Sequence, residues 1–198
     1  MIPRLSLVVA ALLCASCTTT KYPIGASTPQ TPDLTIAGTW QASSQFLHII
    51  PEDKDRFVVA YINGPPGERP ELDVVQATTA LVGTNRFLNV GRVSDDLLHS
   101  VVWLDDDTLP EIEKKHTANA ELWPLLYRLS AENKLITCFI DNDAAAAAVR
   151  SGQLAGTATN EKPVTVHIDA EPAVLDQFMA SPSGTALFKG CWTWHKIH

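Results

Sequence analysis

Positive charge is scarce in this chain and nowhere clustered. Its 15 Lys and Arg stand against 22 Asp and Glu, a formal net charge of −7. Without a basic run there is no electrostatic footprint for a nucleic-acid backbone, and that class of partner is excluded. Past the N-terminal leader no apolar stretch approaches the roughly 18 residues of a membrane-crossing helix. There is no Gly-x-Ser-x-Gly elbow, and Ser181-Pro182-Ser183-Gly184 lacks its leading glycine. The spacing Gly152-x-x-x-Gly156 lacks the Lys-Ser/Thr that completes a phosphate loop. The 6 histidines include no i, i+4 pair, and His195 and His198 point to opposite faces of a strand. Asp105-Asp106-Asp107, with Glu111 and Glu113, has neither the spaced oxygens nor the glycine of a calcium loop, and reads as a solvated acidic loop. The expectation is no catalytic residue, no metal ligand and no cofactor.

Cysteine is also sparse, with 4 in all, and two of these end an apolar leader. Arg4 supplies a short positive region, and 5–13 is apolar except for Ser6. That is about the length of a signal peptide core and about half of a bilayer span. Ala15 and Ser16 then place small side chains before Cys17, and Leu12-Leu13-Cys14-Ala15-Ser16-Cys17 resembles a bacterial lipobox. Cys14 departs from that pattern by standing where leucine is usual. Cys14-x-x-Cys17 as a redox pair would need a folded strand-to-helix turn, and as a zinc site two further ligands; the leader offers neither. Cys17 is therefore the expected lipidation site, 1–16 a signal peptide and 17–35 a lipidated tether rich in Thr, Pro and Ser. Thr18 rather than Asp after the cysteine implies sorting to the outer membrane. The anchor makes the membrane one partner and places the domain on the periplasmic face.

The remaining pair is Cys138 and Cys191. Strand phase puts Cys138 with Ile136 and Ile140, and Cys191 with Lys189, Thr193 and His195, which favours two free thiols. Pairing in an oxidising compartment stays open, and would stabilise the fold by about 4 kcal/mol in the chain-entropy account.

From 36 to 198 the chain reads as one β-rich domain. Strand patterns cover 45–50, 56–62, 72–82, 86–93, 122–130, 134–140, 164–168 and 191–197, separated by turn signals such as Asn63-Gly64-Pro65 and Gly83-Thr84-Asn85. The stretch 94–120 fits neither period cleanly. Two short helices fall in the C-terminal half. Asp141 or Asn142 caps the first, which runs through five alanines to Arg150 before Gly152. Asp169 caps the second, over 171–180, with Val174, Leu175, Phe178 and Met179 as its apolar stripe. The fold class is mainly β (α+β), an antiparallel meander closing into a small barrel.

Gly38-Thr39-Trp40 opening a meander, followed by Leu125-Leu126-Tyr127-Arg128-Leu129 and Asn133-Lys134-Leu135, resembles small bacterial outer-membrane lipoproteins of uncharacterised function with a lipocalin-like or avidin-like barrel. The resemblance spans about 38–188. It implies the fold and carries no activity.

The 5 tryptophans are many for this length. Trp40 lies near the start of the barrel, and Phe188, Trp192 and Trp194 share one strand face near its end. They are expected to fill the core or to line a ligand cavity. The function expected is a lipid-anchored binding or structural module of the envelope, with a protein partner or a small apolar ligand. An envelope hydrolase with a dispersed site and an accessory subunit of a secretion or assembly machine are the alternatives.

Overall fold

The structure is a computed structural model, and it describes residues 18–52, 54–64, 70–91 and 121–197. The leader, Cys17, the stretch 94–120 with its acidic loop and Trp103, and His198 lie outside the described residues.

The chain opens with β1 (Thr18–Thr20) and a 3-10 turn at Leu34–Ile36. A meander follows: β2 (Gly38–Ala42), β3 (Gln45–Pro51), β4 (Arg56–Asn63), β5 (Glu71–Val82), β6 (Asn85–Gly91), β7 (Trp123–Leu129) and β8 (Lys134–Ile140). Then come α1 (Asn142–Arg150), β9 (Gly156–Ala158), β10 (Val166–Ile168), α2 (Pro172–Ala180), α3 (Pro182–Thr185) and β11 (Phe188–Lys196). The barrel is closed in the order β11-β2-β3-β4-β5-β6-β7-β8, and every neighbouring pair is antiparallel. Its first and last strands meet where His195 faces Gln41 and Lys196 faces Trp40. Closure removes the open edges that a meander would otherwise leave unpaired.

Alternation sorts the side chains into two cores. Trp40, Ile49, Phe57, Leu88, Leu135 and Trp194 belong to the core inside the barrel. Phe87, Cys138, Ile140 and Phe188 point outward, beneath a second layer formed by α1, α2 and the small sheet β1-β10-β9. Strand β6 is therefore buried on both faces, from Phe87 through Gly91. Ala145 and Ala146 are fully buried, so the alanine run gives α1 both its propensity and its close approach to the barrel. Asp141 caps that helix by accepting from the Ala144 amide at 2.8 Å.

Four expectations need correction. The stretch 18–35 is not a free tether. Ile24 is buried, and Asn89 bonds it twice, accepting from its amide and donating to its carbonyl, each at 2.9 Å. The buried Asp176 of α2 accepts from the Gly25 amide at 2.6 Å and the Ser27 amide at 3.1 Å. Composition gave no warning, because one apolar side chain and a few polar bonds hold the strap. Second, α2 is not capped by Asp169, which instead pairs with Lys21 at 2.8 Å. Its N-cap is Glu171 without a side-chain bond, and Pro172 with its preset φ begins the helix. Helix α3 is a third, unexpected helix; Ser181 caps it by accepting from the Gly184 amide.

The third and fourth corrections both lie where β11 meets β8. The register of β8 against β11 shifts between Lys189 and Cys191, where Gly190 has φ of 61°. This bulge turns over everything before it. Cys191 comes to face Cys138 at a Cα–Cα distance of 4.0 Å, and the two form a disulfide. Phe188 leaves the face of Trp192 and Trp194 and packs outside, 5.6 Å from Phe87 between ring centroids.

Trp40 and Trp194 remain in one inner core. Truncating either to Ala costs about 3–5 kcal/mol. Melting curves of both single variants and the double should show strong losses of Tm that do not add, the coupling being about 0.5–3 kcal/mol.

Candidate functional site

The two ends of the barrel differ. At the end where β5 turns into β6 and β7 into β8, the interior is sealed by the chain entering β2. Ile36 is buried there, and its carbonyl accepts from the Trp40 indole Nε1 at 2.8 Å. Asp33 closes the seal. Its amide donates to Thr79 Oγ1 at 2.9 Å, and its carboxylate accepts from Tyr127 Oη at 2.9 Å and the Thr35 amide at 3.1 Å. The Arg86 guanidinium and the Thr35 hydroxyl also bond that carboxylate.

The other end is where β4 gives way to β5, β6 runs out toward β7, and β8 finishes. Tyr61, Asp73, Val90, Trp123 and Phe139, one from each of β4 to β8, face inward toward this end. With Leu47, Val59, Val75, Leu88, Leu125, Thr137 and Trp194 they line a cavity of about 90 Å³. Asp73, Val75, Trp123, Leu125 and Phe139 keep partial exposure, whereas Trp40, Phe57, Tyr127 and Leu135 toward the sealed end are buried. Among the described residues the cavity therefore opens at this end only.

Apart from Asp73 and Thr137 its walls are apolar, because period-two alternation brings aliphatic and aromatic positions inward. The Trp194 indole N–H is already used: its Nε1 donates to Thr137 Oγ1 at 3.0 Å. Trp194 then offers its ring to the cavity, with Tyr61 edge-on to it at 6.4 Å and Trp192 at 5.7 Å. Drug-sized ligands occupy about 300–1,000 Å³, and an engineered apolar void of about 150 Å³ accepts benzene. At about 90 Å³ the cavity fits the slim end of an apolar molecule. Its chemistry is desolvation and shape. Among the described residues no group of three His, Cys, Asp or Glu stands together to hold a metal.

Of the four aromatics expected at a site, Trp194 lines the cavity. Trp192 stacks behind it, half-buried. Trp40 belongs to the sealed end, and Phe188 is outside the barrel. Trp123, Tyr61 and Phe139 complete the aromatic lining and were not anticipated there. Trp123 was visible on one face with Leu125 and Tyr127; what no single strand could display is that this face meets those of β4 and β8.

Asp33 makes the sealed end sensitive to acid. Burial pushes its carboxyl up, but the hydrogen bonds from Thr35 and Tyr127, with the Arg86 charge, outweigh burial and hold it below the usual carboxylate range. Burial and then the bond to Asp33 push the Tyr127 hydroxyl far above its ordinary value. A carboxyl with a depressed folded pKa gives stability that is present above its unfolded value, about 3.9, and is lost as pH falls through the folded one. Melting temperatures followed from pH 7 to pH 2 should therefore fall steeply below about pH 4. Asp33→Asn should be less stable at pH 7 and show a shallower acid slope; an unchanged slope would remove Asp33 from the seal.

We found no protein-family model that the chain matches, and no curated protein or solved structure similar to it. The eight-stranded antiparallel barrel is consistent with a lipocalin-like fold.

Proposed function

We infer that this protein is a lipid-anchored binding module of the bacterial envelope, of the kind the small lipocalin-like outer-membrane lipoproteins represent. The lipid sits on Cys17, the domain faces the periplasm from the outer membrane, and the barrel takes the end of a small apolar ligand. The observation that carries the binding reading is the mainly apolar cavity that, among the described residues, opens at a single end, with Trp123, Phe139 and Trp194 in its walls. The anchor reading is supported by the leader and the small residues before Cys17. The ligand reading is favoured over a protein partner because the apolar surface is concave and internal.

Two measurements test the two halves. Titrating the soluble domain with a medium-chain alcohol should change tryptophan fluorescence saturably. Leu125→Trp, which fills the slot from a half-exposed wall position, should abolish the saturable change while leaving Tm within a few degrees. Saturation that survives the filled slot would place the binding elsewhere. Metabolic labelling with a fatty-acid analogue should mark the full-length protein and fail to mark Cys17→Ala. Equal labelling of both would refute the anchor, and loss in Cys14→Ala alone would move it there.

A further inference from the structure

The outer wall carries a second concavity, and the disulfide lies in it. This groove of about 720 Å³ sits beside the sealed end. Leu126 and Ile136 form its apolar part, Arg86 and Arg128 its charge, and Cys138 and Cys191 both line it. One row of side chains crosses three strands, since Leu126 on β7 faces Cys138 on β8, and Cys138 faces Cys191 on β11. Arg128 faces Ile136 in the next row toward the sealed end. That sets it diagonal to Cys138 at roughly 7–8 Å, within reach of a long side chain. Arg86 is held by Asp33, whereas Arg128 makes no ion pair among the described residues.

The two sulfurs are unequal. Cys138 is buried and Cys191 is exposed. A disulfide that solvent reaches is open to attack by a thiolate. The strand ladder keeps the reduced form in place as well. Strands β8 and β11 are paired from Ile140 with Phe188 to Lys134 with His195, and β8 is paired with β7 on its other side. The two thiols therefore stay opposed when the bond between them is broken. One fold holds both redox states, with an accessible thiol beside a buried one and a cation near them. A reversible dithiol–disulfide couple needs this arrangement.

We propose that the outer groove is a thiol–disulfide exchange site, and that its co-reactant is a protein carrying a Cys-x-x-Cys dithiol. A protein is favoured over a small thiol because Leu126 and Ile136 give the groove apolar surface that a protein loop can cover and glutathione cannot. A thiolate of the co-reactant attacks Cys191 Sγ. The Cys138–Cys191 bond breaks as the mixed disulfide forms. Cys138 leaves with the electron pair as a thiolate, which the Arg128 charge stabilises until it takes a proton. The second thiolate of the co-reactant then attacks its own partner sulfur in the mixed disulfide and releases Cys191, which is protonated in turn. Two electrons and two protons have passed from the dithiol to this chain, and the co-reactant is left as a disulfide. The proposal uses neither the cavity nor Cys17.

Reduction kinetics test it. Full-length oxidised protein in detergent is mixed at pH 7 with a reduced thioredoxin-class protein, and in a second arm with glutathione. New thiols are alkylated and mapped to the Cys138 and Cys191 peptides by mass spectrometry, while circular dichroism follows the fold. The dithiol protein should reduce the bond with the β spectrum retained, and acid quenching early in the reaction should catch it on the Cys191 peptide. Ile136→Gln, which removes apolar surface from the groove, should slow the dithiol protein at least about fivefold and leave the glutathione rate unchanged. Arg128→Gln should slow reduction at least about threefold and raise the pH midpoint for alkylating the reduced pair, a shift that a merely structural arginine would not give. Arg128→Lys should restore both. A bond that resists the dithiol protein would overturn the inference, and so would loss of the β spectrum on reduction or capture on Cys138 alone. Equal effects of Ile136→Gln in the two arms would overturn the protein co-reactant, and an unchanged midpoint in Arg128→Gln the role of that charge.

Discussion

Strand β11 carries one residue more than its partner can match, and the side on which that residue is absorbed decides which chemistry faces which core. Gly190 takes a left-handed backbone that few residues adopt, so the extra residue is absorbed there. Everything after it keeps the phase that points Trp194 inward and Cys191 outward to Cys138. Everything before it is turned over, so that Phe188 leaves the barrel and joins Phe87 under the helices. The bulge thus lets one strand give a pillar to the outer core before it and a wall to the cavity after it, with Cys191, just past it, meeting Cys138 on the outward face. The disulfide closes a separation of 53 residues that contains α1, α2 and α3, and a loop of that size is worth about 4 kcal/mol in the chain-entropy account. The helical layer is in this way tied to the barrel wall at its base.

The second layer explains why half of the barrel wall is hydrophobic on both sides. An antiparallel sheet with one wet face alternates, and β3 does so, burying Leu47 and Ile49 while His48 and Ile50 stay exposed. Strand β6 cannot, because α2 and the strap lie on its outer face. Asn89 is the exception that proves useful. A buried amide on that face costs free energy unless it is satisfied, and both of its polar ends are taken by the Ile24 backbone. Asp176 holds the strap as an acceptor alone, taking the Gly25 and Ser27 amides. These two side chains convert a stretch with little apolar content into a fixed part of the fold.

The barrel strands, the closure of first on last, and helix α1 were legible because periodicity and capping are local. Val58-Val59-Ala60-Tyr61 announces a strand wherever it is placed, and Asp141 before an alanine run announces a helix start. What was not legible depends on partners distant in sequence. Register between β8 and β11 cannot be read from either strand alone, so phase counting on 188–194 gave the wrong face to Phe188, and nothing on either strand told that the faces of Cys138 and Cys191 are the same outward one. The fate of 18–35 depended on Asn89 and Asp176, which lie 65 and 149 to 151 residues away along the chain. Asp169 looked like a cap until Lys21 was brought to it. The cavity was half legible: Trp194 was in hand, but Tyr61, Asp73, Trp123 and Phe139 converge only when five strands curve around one axis.

The asymmetry between the two ends is the clearest statement the molecule makes about use. At the sealed end polar groups are paired: half-buried Asp33 with the buried Tyr127 and the exposed Arg86 and Thr35, its amide with the buried Thr79, and the buried Trp40 indole with a carbonyl. Such a network fixes geometry, because every group that moves leaves another unsatisfied in a medium of low dielectric. At the open end the walls are apolar and partly exposed, which costs free energy in water and yields nothing for stability. A barrel of eight strands is just wide enough for side chains to fill it, as they do at the sealed end. The same filling was available at the other end, where larger residues at Val75 or Leu125 would close the space. Stability alone therefore gives no reason for the open slot, whereas a guest that buries its own apolar surface there recovers what the empty slot forgoes.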